Sequence, residues 1–193
     1  MRKFEWQGQS VHKKYAQQNA TNGQAHHNIS SPHNVLSTQN RLKIAMVMIP
    51  KPGERIFAVI DTNVLVSALI SNNPFSPTVR VLQAFDNSKF TLLYHEKIME
   101  EYAEVLHRPK FHIDDERILT LLDTIYTNGI NISPTHTDIV FTDPKDIIFY
   151  EVAMEKQDEG AWLVTGNIKH FPVEKFIVTP KEFMEIIDNH TRW

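Results

Sequence analysis

Asp61 follows directly on the apolar, β-branched run Ile56–Ile60, and Thr62 and Asn63 separate it from the apolar spacing that resumes at Val64. A carboxylate at the mouth of a doubly buried strand is expensive unless something offsets its charge. In "EKIMEEYAEVLHR", Ile98, Tyr102 and Val105 form an i, i+4, i+7 apolar stripe that Glu101 joins or borders, whereas Glu100 and Glu104 fall outside it. Glu101 therefore reads either as an inward carboxylate or as a rim side chain reaching for water. In "FTDPKDIIFYEVA", Asp146 shares a helical face with Phe149, Tyr150 and Ala153. Its plain alternative is a first-turn acid complementing the helix dipole. Asp143 before Pro144 reads as a helix N-cap with Pro at the first helical position. Inward acids drawn from three elements repel one another unless a cation joins them, and all-oxygen sites suit Mg²⁺ or Mn²⁺. The chemistry such an ion serves best is hydrolysis of a phosphodiester.

These side chains need elements to position them. The spacing predicts a strand over 56–60, a helix from about Asn63 to Ile70, and a helix over Thr78–Asn87 opened by Ser76 and Pro77. "FTLLYH" reads as a strand, and Glu96–His107 as a helix stopped by Pro109. A helix over 114–127 closes at Asn128-Gly129 in the manner of a C-cap. "INI" is a short strand, Pro144–Lys156 a helix, "AWLVT" and "FIVT" strands, and Pro180–Asp188 a closing helix. Strands alternating with helices predict a parallel sheet covered on both faces. Ligands of such sheets bind beyond the carboxyl ends of the strands. Asp61 and Gly166-Asn167 belong to that edge, because each follows a strand.

Of the 193 residues, none is cysteine, which excludes disulfides and thiolate metal sites. The apolar runs fall far short of a membrane span, and the N-terminus has no apolar signal core, so a cytoplasmic protein is expected. Residues 1–45 hold six Lys/Arg against one acid, and the rest 14 against 22. So acidic a domain is no general nucleic-acid clamp. Residues 1–50, with "AQQNATNGQAHHNISSPHN", are too polar to offset ordering entropy and read as a disordered, dispensable tail. Either the working start is Met46 or Met48, or the tail is a flexible basic arm touching RNA or a partner, with residues 51–193 as the folded domain.

"VIDTNVLVSALI", "EEYAEVLHRPKF", "DPKDIIFYEVA" and "LVTGNIKHF" resemble, in order and spacing, the PIN-domain family. The likeness is to its bacterial branch of toxin components of toxin–antitoxin pairs, and it runs from about Arg55 to Met184. The resemblance implies an α/β fold, a three-layer α/β/α sandwich with a mainly parallel sheet, and an Mg²⁺- or Mn²⁺-dependent ribonuclease. It makes Asp61, Glu101 and Asp146 the metal-binding acids, with Thr62, Asn63 and Thr165 supporting them. The family's fourth position, an Asp after Thr-Gly, is Asn167 here. Its amide oxygen can ligate a cation or orient a water but brings no charge. A catalytically silent module that binds RNA or a protein partner is the rival expectation. A phosphatase of the haloacid dehalogenase type would need an acid where Asn63 stands, and no Walker loop is present.

Arg108 and Lys110 in "HRPKF" read as phosphate contacts or as a basic helix end before a Pro stop. Lys169 and His170, just beyond Asn167, are placed to reach an RNA backbone. The resemblance further implies a small cognate antitoxin covering the acidic mouth, with an Arg among the acids, and a homodimer.

Overall fold

The computed structural model describes residues 54–141 and 143–190. The tail over 1–50, with the expected starts at Met46 and Met48, lies outside the described residues.

Among the described residues five short strands form one parallel sheet: β1 (Phe57–Ile60), β2 (Thr91–Tyr94), β3 (Ile130–Asn131), β4 (Ala161–Val164) and β5 (Ile177–Val178), in the order β3-β2-β1-β4-β5. Among the described residues five helices lie between the strands, α1 (Thr62–Ile70), α2 (Pro77–Asp86), α3 (Glu96–Leu106), α4 (Asp115–Asn128) and α5 (Ile147–Glu155), and α6 (Pro180–His190) follows β5. This is the expected α/β sandwich. Every residue of β1 and β4 is buried, as continuous apolar runs covered on both faces must be. Trp162, Tyr102, Phe149 and Phe183 are the largest of the fully buried side chains. From β1 the chain steps to β2 and β3 on one side, then crosses to β4 and β5 on the other. Strand order thus reverses between β1 and β4, and a crevice opens at such a switch point. Asp61 leaves β1 there, and Thr165-Gly166-Asn167 leave β4. Among the described residues no helix is long and apolar enough to cross a membrane.

The structure corrects two sequence expectations. The helix expected from Pro144 begins at Ile147. Residues Asp143–Asp146 form a turn, closed by Asp146 N–H donating to Asp143 O at 3.0 Å. Asp143 Oδ1 accepts from Lys145 N–H at 2.9 Å, two residues on, so it caps the turn and not the helix. Asp146 takes the N-cap position and makes no side-chain cap bond.

Gly129 does follow the end of α4, but its φ of −88° and ψ of 177° are extended, not left-handed. Glycine is needed there for close approach. A Cβ would stand 2.6 Å from the Ile125 carbonyl oxygen and 2.9 Å from that of Leu92. Both are backbone atoms and cannot swing aside. Gly129→Ala is expected to lower stability by roughly 1–3 kcal/mol, the usual range for overpacking, as read by urea unfolding. An unchanged midpoint would contradict the close approach.

Candidate active site

Asp61 is the N-cap of α1, its Oδ1 accepting from Asn63 N–H at 3.2 Å. Its Oδ2 accepts from Asn63 Nδ2 at 2.7 Å and from the Thr165 hydroxyl at 2.5 Å. Gly166 N–H donates to Asn63 Oδ1 at 3.2 Å, and Asn167 N–H to Thr165 Oγ1 at 2.9 Å. Asn63 and Thr165 therefore stitch the ends of β1 and β4 together around one carboxylate. Burial raises the Asp61 pKa, and the bonds from Thr165 and Asn63, with the charge of His170, oppose that rise.

Glu101 is brought to the same edge by α3. The Thr62 hydroxyl donates to its Oε1 at 2.7 Å, across 39 residues of sequence. Its pKa is raised first by burial, against the pull of Thr62, and further by the charges of Asp61 and Asp143; Lys145 lowers it. Next to it on α3, the fully buried Tyr102 donates its hydroxyl to the carbonyl oxygen of Ile60, the residue before Asp61. Sequence reasoning saw Tyr102 only as part of an apolar stripe. The phenol also ties Glu101's helix to Asp61's strand. Tyr102→Phe should cost about 0.5–1.5 kcal/mol for that hydrogen bond. It should also loosen Glu101 against Asp61, seen as faster amide exchange at Glu101 in hydrogen-exchange NMR. Unaltered stability and exchange would deny the tie.

Asp146 enters from the turn before α5. Its Oδ2 is buried and accepts no hydrogen bond, while His170 Nδ1 stands 3.3 Å away, an ion pair when the imidazole is protonated. Burial raises its pKa to about 6, the charges of Asp61 and Asp143 add to the rise, and His170 opposes it. His170 Nε2 in turn lies 2.8 Å from Asn167 Nδ2. The segment leading into this turn is fastened to α5. The buried Glu151 accepts from Thr137 N–H at 2.8 Å and faces His136 Nδ1 at 2.7 Å, and Glu155 accepts from Thr135 N–H at 2.8 Å.

The charge of Asp61 thus acts on both Glu101 and Asp146 at a common sheet edge, and Thr165, Asn167 and His170 link Asp61 to Asp146. Sequence reasoning missed Asp143 and Lys145 as members of this group, because "DPKD" read as a helix start. Lys169 is exposed on the single turn Ile168–His170 that follows Asn167. Arg108 is held on the surface by Glu104 at 2.8 Å, and the Lys110 ammonium lies 4.8 Å from the Phe111 ring centroid. Neither of the two is among the charges acting on the three acids.

The donor set fits a hard divalent cation in kind. It is all oxygen, its members repel one another, and one buried oxygen lacks a hydrogen bond. Among the described residues no three acidic or histidine side chains stand close enough to hold one ion together. The arrangement suits an ion held by one or two carboxylates that completes its shell with water and substrate oxygens, the habit of Mg²⁺.

The family model described as the PIN domain matches residues 58–169, which include Asp61, Glu101, Asp146 and Asn167. The chain is also similar to an uncharacterized protein of Methanocaldococcus jannaschii. The two are 30% identical over 148 residues, covering 68% of this chain and 91% of the relative. No solved structure matches significantly.

Proposed function

The chain belongs to the PIN-domain family, and from that membership and its acid-lined mouth we propose that it is a metal-dependent endoribonuclease. PIN domains are generally nucleases and typically use divalent metals. The observation that carries the reading is Asp146: a buried carboxylate oxygen faced by His170 Nδ1 at 3.3 Å, whose pKa is pushed up to about 6 by burial first and then by the charges of Asp61 and Asp143. Such an arrangement is unfavourable in the protein alone and becomes favourable when a cation joins the acids.

Asp61 and Asp146 would hold the ion, Mg²⁺ or Mn²⁺, with Glu101 beside them. When bound, it supplies positive charge and Lewis acidity toward a phosphodiester. The remaining work falls to the chain. Asn63 and Thr165 fix the Asp61 carboxylate by three hydrogen bonds. Thr62 fixes Glu101. Lys145 and Lys169 border the mouth and would meet backbone phosphates, which position a nucleic acid without reading its sequence. We place Arg108 and Lys110 at the outer end of that track.

The finer reading is a toxin component. Its mouth would be covered by a small cognate antitoxin inserting an Arg among the acids, in the cytoplasm, with the catalytic domain as a homodimer. What supports it is the likeness of the four motifs to that branch. The test for the branch is growth arrest on expression, relieved by a small protein encoded beside it.

For the activity itself, the purified full chain is incubated with single-stranded RNA. Internal cleavage with Mn²⁺ and none with chelator is expected. RNA binding without cleavage at any Mn²⁺ concentration would favour the second reading, a silent RNA-binding module. Two observations favour that reading: the uncharged Asn167, and the absence of a closed three-ligand cluster among the described residues.

A further inference from the structure

By its likeness to the family Asn167 stands where a fourth acid is expected, yet its amide is directed at a neighbour. Its backbone N–H is pinned to Thr165 Oγ1 at 2.9 Å, and His170 N–H donates to Asn167 O at 3.0 Å. The intervening turn is 3₁₀, in which side chains three residues apart eclipse. Asn167 Nδ2 consequently meets His170 Nε2 at 2.8 Å, while Nδ1 of the same ring faces Asp146 Oδ2 at 3.3 Å. The contacts Asp61–Thr165–Asn167–His170–Asp146 run without a break from the end of β1 to the start of α5.

We propose that Asn167 is a positioning residue acting through His170: its amide holds the imidazole against Asp146, so that an Asn–His pair replaces the fourth acid. The hydrogen-bond chemistry decides which residue type can do this. An amide NH₂ donates to Nε2 only if Nε2 is bare, which puts the ring proton on Nδ1, toward the Asp146 carboxylate. An Asp at 167 has no donor. It would draw the proton to Nε2 and turn a bare Nδ1 lone pair on Asp146. Asn is therefore the residue that lets His170 steady Asp146.

The test uses the full chain, metal-free and ¹⁵N-labelled, at alkaline pH, with the His170 ring nitrogens assigned by their loss in His170→Ala. Two widely separated resonances are expected, a bare Nε2 and a protonated Nδ1. Asn167→Ala should shrink that separation as tautomers exchange, and Asn167→Asp should reverse the assignment. The dispersion of the other amides shows that each variant is folded. A wild-type ring already averaged, or a ring indifferent to Asn167→Ala, overturns the proposal.

A second arm titrates Mn²⁺ calorimetrically, and this arm alone rests on the nuclease reading. Asn167→Ala and His170→Ala should each weaken Mn²⁺ by about 10–100-fold, the range for residues that orient a ligand, and the double variant should be no worse than either. Additive losses would make Asn167 an independent ligand and refute the pairing. A wild type that takes up no Mn²⁺ defeats the nuclease reading and leaves the ring-nitrogen result to decide the pairing.

Discussion

Asp146→Asn is expected to abolish Mn²⁺-dependent RNA cleavage without lowering the stability of the metal-free protein. The loss should be about 10²-fold or more, beyond the roughly 10–100-fold that follows removal of a residue that merely orients a ligand. Stability is spared because the side chain makes no cap bond to α5 and gives up only the 3.3 Å contact of Oδ2 with His170 Nδ1, which an amide oxygen can keep. The substitution also removes a charge that burial, Asp61 and Asp143 disfavour more than His170 favours it. Asp61→Asn should lose activity to the same degree. Asn caps helices about as well as Asp, so α1 keeps its start. Its amide nitrogen must, however, face donors at Asn63 Nδ2 or Thr165, so a modest stability loss accompanies it. Cleavage by both variants at the wild-type rate would mean that the activity lies elsewhere.

The second large effect concerns pH. Asp146 titrates at about 6 in the fold and near 3.8 when free. The folded state therefore holds a proton that the unfolded chain has released. Its contribution is fully present below about 3.8 and is lost as pH rises through about 6. Burial raises Asp61 and Glu101 as well, so they act in the same direction. Exposed Glu104 and Glu155 are lowered and act oppositely, so the clean quantity is the difference between wild type and Asp146→Asn. In metal-free protein that difference should turn against the wild type across this window, measured by urea unfolding at successive pH values. At neutral pH, Mn²⁺ should reverse it, adding about 2.7 kcal/mol at a hundredfold excess over its Kd. A wild type that gains on the variant as pH rises through the window would remove the case for a strained acid cluster.

The alternation of strands and helices was legible because a strand repeats every two residues and a helix every 3.6, and apolar side chains report the buried face. The same logic selected Asp61, by its place after an apolar run, and Glu101, by its place on the α3 wheel. It failed at "DPKD". Asp-Pro is equally good as a helix start and as a turn, and only the observed bond from Lys145 N–H to Asp143 shows which one forms. It failed at Gly129 for a similar reason. A glycine after a helix reads as a left-handed cap, whereas the requirement comes from the approach of the Ile125 carbonyl and of the Leu92 carbonyl, the latter far off in sequence. The basic residues diverge too, since Arg108, read as a phosphate contact, is taken up by Glu104, while Lys145, which the sequence did not single out, acts on Glu101.

By itself the sequence determined the order of elements, the burial of β1 and β4, and which acids sit at strand ends, because those follow from periodicity and local chemistry. Tertiary structure alone decided that the Thr165 hydroxyl, 104 residues from Asp61, closes on its carboxylate. It also decided that Asn167 faces His170, and that His170 faces Asp146. The physical reason is that hydrogen bonds and charge coupling act over a few ångströms, and separation along the chain does not encode such distances until the sheet has set them.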